Sequence, residues 1–416
     1  MSGLGFLTEP SRDIPVRWEA DVVVCGGGPA GMAAAIAAAR RGASVILLER
    51  YGCLGGLATG GLVVALPSFE DKGRPIIRGI GYETRQRMLD SGEAQFRWAN
   101  GGVLFDPEAL KWLSVRMCQE AGVRILHHVW VANAIVEEGR VQAVIVESKV
   151  GRLGVRGKVF VDGTGDGDVF AAAGCAFETS NQYIGLPFRV ANVDIDRWEA
   201  ARKADPDSLS AAMEAARKAG GWESYAGFNT MPWPDGCLWG NNMLTERGGL
   251  DPEDLTYVET EGREVIRRYI EALRATVPGF ERAWLFDTAS QVGVRRTRRL
   301  VGEYVMTGAD TGQDDFRIED AIGRGNDFRR SGIAYDVSYR SLLPRDVNGL
   351  LVAGRCVSCD HEALEPMREI HVCWVMGQAA GMAAAMSVER AREPRDWSVA
   401  ELQANLRAAG VAFAGG

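Results

Sequence analysis

The hydrophobic pattern near the start of the chain predicts a strand, a turn, a helix and a second strand. Residues 21–25 form a short apolar run of the kind that fills a buried parallel strand, and the glycines at 26–28 end it. Residues 29–42 are rich in alanine and finish with two arginines and a glycine, an order typical of a helix end. Residues 44–48 form a second apolar run, followed directly by Glu49. Together these positions predict a βαβ unit.

Later segments continue the alternation of helices and apolar strands. A helix is predicted over residues 106–121, with Gly122 as its cap, and a hairpin turn over residues 138–140. The other predicted strands are residues 123–131, 134–137, 141–148, 158–162, 333–343 and 350–353, and the other predicted helices are residues 168–173 and 372–388.

The character of the chain changes near Thr179. From there to about residue 330, tryptophan, charged residues and irregular turns dominate, and regular patterns return afterwards. We therefore predict an α/β fold in which a discontinuous Rossmann-type domain, residues 1–180 and 334–416, carries an inserted β-rich domain, residues 181–333.

Composition and charge narrow the possible functions. The chain is 46% hydrophobic and 25% charged, which is ordinary for a globular protein, and its net charge of −8 gives no basic surface for nucleic acid. The eight cysteines lack the spacing of a secreted scaffold, and the first ten residues lack the features of a signal peptide, so we expect a cytoplasmic location. The uncharged stretches 22–39 and 373–388 contain glycines and are interpreted as buried elements, so no membrane span is predicted.

The first glycine-rich turn has the spacing of a dinucleotide-binding motif. Gly26 permits the tight turn, Gly28 lets backbone approach a pyrophosphate, and Gly31 allows the helix to pack closely on the strand. The helix N-terminus then stabilises the phosphate charge. Glu49, at the end of the next strand, is placed to accept hydrogen bonds from a ribose. A plain glycine-rich turn with a surface glutamate is the alternative, and the strand–turn–helix context favours the nucleotide.

Several later motifs resemble those of one flavoprotein family. They are Gly55-Gly56-Leu57-Ala58-Thr59, Gly163-Thr164-Gly165-Asp166-Gly167-Asp168, Ala289-Ser290-Gln291-Val292-Gly293-Val294-Arg295, Leu351-Val352-Ala353-Gly354-Arg355-Cys356-Val357-Ser358 and Gly377-Gln378-Ala379-Ala380-Gly381. With the first glycine motif, they make the chain similar to FAD-dependent oxidoreductases of the FAD_oxidored type, within the glutathione-reductase-like FAD superfamily. The resemblance is tight in residues 21–60, 158–175 and 289–385 and loose in 180–285.

The resemblance implies FAD held without a covalent bond. It also implies a helix that starts near Gly377 and points its N-terminus at the pyrimidine edge of the flavin, where negative charge develops on reduction. The residues expected to bind the cofactor are Gly26, Gly28, Pro29, Ala30, Gly31, Glu49, Arg50, Gly55, Gly56, Val131, Thr164, Gly165, Gly354, Arg355 and Ala379.

The electron partner is left open by the sequence. No second strand–glycine turn–helix unit is present for NAD(P)H, and the first motif is followed by Cys53 rather than by a redox cysteine pair. We therefore expect electrons to pass between substrate and oxygen, a quinone or a protein. Cys356 and Cys359 form a CxxC, interpreted as inert thiols, with a redox role, a covalent flavin link or a metal half-site as the alternatives. No metal site is predicted.

Four candidates for catalysis follow the last strand: His361, Glu362, Arg368 and His371. Histidine titrates near neutrality and suits a general base, and His361 is the first choice. Arg368 could hold a substrate carboxylate or the flavin anion. The alternative for His361 and Glu362 is a pair that holds a loop. The family also carries Arg295, which could brace the inserted domain.

The inserted region contains aromatic residues that could line a pocket for a ring-bearing small molecule, although most are expected in the core: Trp222, Tyr225, Phe228, Trp233 and Trp239. The leading hypothesis is a dehydrogenase or oxidase in which hydride passes between substrate and flavin N5. The alternatives are a flavin monooxygenase, an ene-type reductase and a flavin-carrying electron-transfer subunit of a larger complex.

Overall fold

The computed structural model describes residues 5–222, 226–231, 235–327, 329–330 and 333–414. The helices in this part of the chain are α1 (Pro29–Arg40), α2 (Ile80–Asp90), α3 (Pro107–Glu120), α4 (Asp168–Ala172), α5 (Ile195–Ala204), α6 (Pro206–Ala219), α7 (Pro252–Thr276), α8 (Gly308–Gly312), α9 (Leu364–Met367), α10 (Ile370–Arg390) and α11 (Val399–Ala408). The strands are β1 (Val16–Cys25), β2 (Val45–Glu49), β3 (Ala65–Leu66), β4 (Glu70–Asp71), β5 (Arg74–Pro75), β6 (Ala94–Phe96), β7 (Val103–Phe105), β8 (Arg124–His127), β9 (Trp130–Glu137), β10 (Arg140–Ser148), β11 (Gly151–Asp162), β12 (Phe177–Thr179), β13 (Gln182–Ile184), β14 (Phe188–Ala191), β15 (Ala226–Thr230), β16 (Leu238–Asn242), β17 (Thr245–Arg247), β18 (Trp284–Thr288), β19 (Arg298–Leu300), β20 (Ala321–Asn326), β21 (Ala334–Ser338) and β22 (Leu350–Val352).

The largest sheet orders its strands β8-β2-β1-β11-β10-β9, and β22 pairs with the end of β11. The strands β8, β2, β1, β11 and β22 are parallel, whereas β10 and β9 are antiparallel additions. Cys25 lies beside both Leu48 and Asp162, and Asp162 lies beside Val352, so these parallel strands end at one edge. The predicted α/β class with a parallel, Rossmann-like core is confirmed, and this edge is where such sheets bind ligands.

Helices α1 and α10 cross in close contact beside this sheet. A Cβ on Gly377 would lie 2.0 Å from the carbonyl oxygen of Ala30, and one on Gly381 would lie 2.0 Å from that of Ala34. The last long helix, predicted over residues 372–388, is confirmed as α10, and the start near Gly377 that the family resemblance implied is wrong because α10 begins at Ile370. The two glycines lie in mid-helix, where the absence of a side chain allows the backbones to approach.

A second hydrophobic cluster is built almost entirely from residues of the predicted inserted region. Its sheet has the order β15-β16-β14-β18, and α5, α6 and α7 contribute to the same core. The prediction that this region is β-rich is wrong, because these helices have 10, 14 and 25 residues. Helix α7 buries Val258, Ile266 and Leu273 on one face, and this spacing is a helical signal in the sequence.

The predicted domain boundaries remain a prediction. Ile322 of β20 belongs to the cluster around α1 and α10, together with Val337 of β21. The structure therefore packs the last part of the segment 181–333 against the first core.

Two predicted strands are shorter or interrupted in the structure. Residues 123–131 are divided between β8 and β9 because His128 has a left-handed φ of 59°. Strand β21 ends at Ser338, and a 3₁₀ turn, Tyr339–Leu342, follows it.

None of the helices in the described part of the chain combines the length and the apolar character needed to cross a bilayer. The apolar stretch 22–39 is divided between β1 and α1, and the stretch 373–388 lies within α10.

Candidate functional site

A cleft with about 900 Å³ of empty space lies at the carboxyl edge of the parallel strands. The segments that follow β1, β2, β11 and β22 form its walls, together with the start of α10. The lining residues are Gly26, Gly28, Pro29, Ala30, Leu48, Glu49, Arg50, Tyr51, Gly56, Leu57, Ala58, Val129, Trp130, Val131, Gly163, Thr164, Gly165, Asp168, Gln291, Gly354, Arg355, Arg368, Ile370 and Cys373.

The glycine turn between β1 and α1 leaves one side of the backbone open. A Cβ on Gly26 would lie 2.5 Å from the Gly163 carbonyl oxygen, and one on Gly31 would lie 1.8 Å from the Gly26 carbonyl oxygen. A Cβ on Gly28, in contrast, would meet no other part of the protein within 4 Å. Gly28 also caps α1 without a side-chain hydrogen bond. The free backbone N–H groups of the first turn and the open space above them fit a phosphate group.

The carboxylate of Glu49 is fixed by the turns on either side of it. Its Oε2 accepts a hydrogen bond from the Gly27 N–H at 2.7 Å, and its Oε1 accepts one from the Tyr51 N–H at 2.7 Å. The residue is 5% exposed and lines the cleft. An oriented carboxylate in this position has free lone pairs for a ribose diol.

The turn after β11 is an acidic loop with its own hydrogen bonds. Asp162 accepts hydrogen bonds from the Thr164 hydroxyl at 2.7 Å and from backbone N–H groups at the start of α4. Asp166 pairs with Arg355 at 2.8 Å. Asp168 faces the cleft, and burial together with Asp166 and Asp162 raises its pKa to about 6.

One end of the cleft is lined by aromatic rings that the sequence reasoning missed. The guanidinium carbon of Arg50 lies 4.9 Å from the ring centroid of Tyr51 and 5.1 Å from that of Trp130. Tyr51 and Trp130 are next in sequence to Arg50 and Val131, which were predicted to bind the cofactor. This adjacency could have indicated that the two rings also line the cleft. Flat apolar surfaces of this kind suit a base.

Most residues predicted to bind the cofactor line the cleft. The exceptions are Gly31, Gly55 and Ala379. Gly31 permits the contact of α1 with β1. Gly55 has a φ of 99°, and a Cβ there would lie 2.4 Å from the Thr59 side chain, so it forms the turn behind the wall. Ala379 is buried within α10, away from the helix start that faces the cleft, and its role in cofactor binding stays a prediction.

A second cavity, with about 1460 Å³ of empty space, adjoins the first cleft. The two share Leu57, Arg368 and Ile370. The remaining lining residues are Val63, Ala65, Leu66, Pro67, Trp98, Asn100, Gly102, Gly185, Pro187, Asn229, Trp239, Asn241, Met243, Gly293, Arg295 and Glu369. The predicted Rossmann-type domain and the predicted inserted domain both contribute residues to these walls.

Charged groups gather where the two cavities meet. Arg368 donates a hydrogen bond to Glu365 at 2.7 Å and lines both cavities. Glu369 lines the second cavity, and its side chain forms no hydrogen bond or ion pair with any described residue. Burial raises the pKa of Glu369 against the opposing effect of the Arg368 guanidinium. A carboxyl group held in this way is suited to give or accept a proton, and the sequence reasoning missed it.

The predicted catalytic histidines do not reach either cavity. His361 and Glu362 are exposed on a turn whose backbone N–H groups are bound by the Asp360 carboxylate. His371 is fully buried behind the cleft, with its Nε2 2.6 Å from the Asn326 Oδ1. Burial lowers the pKa of His371 to about 3, so its imidazole is neutral. Of the four candidates, only Arg368 faces the cavities, and the placement of the other three as catalytic groups is not supported by the geometry.

The CxxC residues are buried thiols. Cys356 and Cys359 are 0% and 2% exposed, and burial raises the pKa of both. The described residues contain no group of three or more His, Cys, Asp or Glu side chains arranged to hold a metal ion. These observations favour the interpretation as inert thiols.

The predicted aromatic pocket is only partly formed. Trp239 lines the second cavity, whereas Trp222 and Phe228 pack in the second hydrophobic cluster. Tyr225 and Trp233 lie outside the described residues. Trp98, which the sequence reasoning missed, supplies another ring to the cavity wall.

The family model described as FAD dependent oxidoreductase matches residues 21–406 of the chain. A curated thiamine thiazole synthase of Methanococcus aeolicus is 27% identical over 187 residues, which are 40% of this chain and 62% of that protein. A digeranylgeranylglycerophospholipid reductase 1 of Methanopyrus kandleri is 35% identical over 151 residues, which are 35% of this chain and 40% of that protein. The matches thus span less than two thirds of either relative.

Solved structures show the same fold. The myxobacterial chondrochloren halogenase CndH, an FAD-dependent halogenase, is similar with a TM-score of 0.50 and 14% identity, over 94% of this chain and 79% of that one. At this identity the likeness concerns the fold alone. The family match across nearly the whole chain agrees with the open glycine turn, the oriented carboxylate and the aromatic end of the cleft. The chain belongs to the FAD-dependent oxidoreductase family and is an enzyme whose cofactor is FAD.

Proposed function

We propose that the chain transfers hydride between FAD in the first cleft and a small organic molecule in the second cavity. The observation that carries the proposal is that the two spaces share three wall residues, Leu57, Arg368 and Ile370. FAD, when bound, supplies the hydride acceptor or donor at its N5. In this proposal residues 1–180 and 334–416 form a glutathione-reductase-like FAD domain and residues 181–333 provide much of the substrate wall. The cytoplasmic location stays a prediction.

The residues that would hold the cofactor are those of the glycine turn, Glu49 and the aromatic end of the cleft. The N-terminus of α1 provides N–H groups for the pyrophosphate, and Glu49 provides acceptors for the ribose. The start of α10 brings Ile370 and Cys373 to the other end of the same cleft.

The second cavity suits a molecule with an apolar or ring-bearing body. The indole of Trp239 is held in place because its Nε1 donates a hydrogen bond to the Leu62 carbonyl oxygen at 2.8 Å. Trp98 and Met243 add apolar surface, and three asparagines, at positions 100, 229 and 241, offer amide groups for orientation.

Glu369 is the group that we assign to proton transfer. Oxidation of an alcohol or amine releases a proton along with the hydride, and reduction of a double bond consumes one. Glu369 lines the cavity beside the shared wall, and burial raises the pKa of its carboxyl group above that of an exposed glutamate.

A pair of variants tests this assignment. The FAD-loaded enzyme is mixed anaerobically with panels of alcohols and amines, where bleaching of the flavin identifies a substrate. A second portion is first reduced with dithionite and then mixed with α,β-unsaturated compounds, where reoxidation of the flavin identifies a substrate. We expect Glu369→Gln to retain FAD and to slow this step by about 10²- to 10⁴-fold. The control His361→Ala should remain close to wild type because its side chain is exposed. A strong loss in His361→Ala with full activity in Glu369→Gln would refute the assignment.

The electron partner is identified by adding acceptors to the substrate-reduced enzyme after the anaerobic step. Reoxidation by oxygen or by a quinone distinguishes an oxidase from a dehydrogenase, whereas rapid substrate-stimulated NADPH consumption would favour a monooxygenase. A flavin that exchanges electrons only with a protein partner, and with no small molecule, would replace the proposal by an electron-transfer role.

A further inference from the structure

Arg295 is a cation in the wall of the second cavity without an acidic partner. Its Nη1 donates to the Tyr183 carbonyl oxygen at 3.0 Å, and its Nη2 donates to the Asn242 carbonyl oxygen at 3.0 Å. No carboxylate of a described residue lies within 4.0 Å of its guanidinium. Burial and the nearby Arg368 lower the pKa of Arg295 to about 10, so it remains charged at neutral pH.

The backbone around Arg295 is shaped to hold this side chain. Gly185 and Gly293 exchange backbone hydrogen bonds of 3.3 and 2.7 Å, and both line the cavity. A Cβ on Gly185 would lie 3.1 Å from the Arg295 Nη1 and 2.5 Å from the Asn242 carbonyl oxygen. Glycine at this position therefore leaves space for the guanidinium against the strand.

Arg295 is half-buried, and three buried arginines are compensated differently. Arg189 pairs with Asp287, and Arg299 pairs with Glu178 at 2.9 Å. Arg85 has its guanidinium carbon 4.5 Å from the ring centroid of Phe69. Removing a cation from water without such a partner is costly, which makes the open position of Arg295 a candidate for binding an anion.

The neighbouring charges do not neutralise Arg295. Glu365 is already shared by Arg368 at 2.7 Å and Arg296 at 2.9 Å. Glu369 is the other nearby carboxyl, and burial holds it toward its neutral form. Arg295 and Arg368 therefore both face one largely apolar space, and the Glu369 carboxyl in the same wall forms no ion pair with either of them.

We propose that the substrate carries a carboxylate, or an anion of similar shape, that binds the Arg295 guanidinium with Arg368 beside it while the apolar body lies against the tryptophans. The proposal rests on the proposed function in that it takes the second cavity as the substrate site. A guanidinium binds a planar carboxylate through paired N–H donors, which fixes the orientation of the ligand as well as its charge. The substrate class is thus an organic acid with a ring or an alkyl chain.

The test compares acids with their neutral amides on the FAD-loaded wild-type protein. Benzoate, 2-naphthoate and octanoate are titrated by calorimetry against benzamide, 2-naphthamide and octanamide, with the flavin difference spectrum as a second readout. We expect at least one acid to bind at least about tenfold more tightly than its amide. Equal binding of each pair, or no binding of any acid at millimolar concentration, overturns the proposal.

Variants locate the charge that is responsible. Arg295→Gln should weaken the acid about 10- to 100-fold and leave the amide unchanged, and Arg295→Lys should recover part of the loss. Arg247→Gln is the matched control, because Arg247 pairs with Asp254 and does not line the cavity. Acid binding by Arg295→Gln at wild-type strength overturns the proposal, and the wild-type comparison decides it if this variant does not fold.

Failure here and failure of the proposed function are distinguishable. Substrate-dependent flavin bleaching without a preference for acids would remove this inference and leave the hydride-transfer function. A preference for acids without any bleaching would leave an anion site and remove that function.

Discussion

Replacing Glu49 by glutamine tests whether its oriented carboxylate holds the cofactor. In the structure both oxygens are engaged, one by the Gly27 N–H and one by the Tyr51 N–H, each at 2.7 Å. Glutamine keeps one acceptor but turns an NH₂ group toward a backbone donor. The site is 5% exposed, so water cannot replace the lost bond easily. A hydrogen bond to a charged group is worth about 1.5–3 kcal/mol.

Loss of this energy should affect both FAD binding and the stability of the apoprotein. We expect Glu49→Gln to raise the FAD dissociation constant about 10- to 100-fold, since about 1.4 kcal/mol corresponds to a factor of ten. Because the Gly27 bond also orders the empty turn, the apoprotein should lose about 1–2 kcal/mol of stability against urea. Glu49→Asp keeps the charge but shortens the side chain, so its FAD dissociation constant and its stability should lie between those of wild type and Glu49→Gln.

The assay is a titration of apoprotein with FAD, followed by quenching of flavin fluorescence, beside urea unfolding of the same apoprotein. Glu19→Gln is the matched control, because Glu19 is an exposed carboxylate at the other end of β1. The reasoning would be refuted if Glu49→Gln bound FAD as tightly as wild type and Glu19→Gln. A loss of apoprotein stability without a loss of FAD affinity would confine Glu49 to a structural role.

The remaining predictions concern packing, protonation and thiol exposure. Gly377→Ala should destabilise the protein by at least about 2 kcal/mol in urea unfolding, because the new methyl would lie 2.0 Å from the Ala30 carbonyl oxygen. Helix propensity alone predicts that this variant is more stable than wild type, and that result would contradict the close crossing of α1 and α10. The pKa of Asp168 is raised to about 6, so the free energy of unfolding of the apoprotein should fall as the pH rises from about 4 to about 6. The Asp168→Asn variant should therefore become about 1–2 kcal/mol more stable relative to wild type at pH 7 than it is at pH 4. The same stability difference between variant and wild type at both pH values would contradict the raised pKa. Of the eight cysteines only Cys53 is not buried, so a thiol reagent should modify one thiol rapidly and the others only on unfolding; rapid reaction of a second thiol would contradict the buried placement.

The cofactor cleft could largely be predicted from the sequence because its parts are local. The glycine turn, the helix that follows it and Glu49 lie within one βαβ unit, and each has a distinct residue signature. Turns after parallel strands meet at one edge of a sheet, so the later motifs at Thr164 and Gly354 are expected in the same cleft from their positions after strands alone. The family resemblance supplied the identity of the cofactor.

The long helices of residues 181–333 were missed for a different reason. The apolar spacing of Val258, Ile266 and Leu273 is helical, but the many tryptophans and turns around it favoured a prediction of strands. The apolar pattern predicted α10 to within two residues at each end, whereas the family resemblance placed its start near Gly377. The small size of Gly377 and Gly381 instead serves the crossing with α1.

The chain by itself determined the parallel α/β core and the dinucleotide cleft, because these depend on short-range patterns. Only the tertiary structure decided which side chains line the second cavity. Trp98, Trp239, Arg295 and Glu369 come from distant parts of the chain. The sequence offered Trp239 as a pocket residue and Arg295 as part of a family motif, but only the fold brings all four to one cavity. Folding also places His361 at the surface and His371 in the core, since the direction of a side chain depends on the turn or helix that carries it. The surroundings of Arg295 also depend on the fold. Burial and neighbouring groups determine the energetic cost of an unpaired cation, and neither can be seen in the order of residues along the chain.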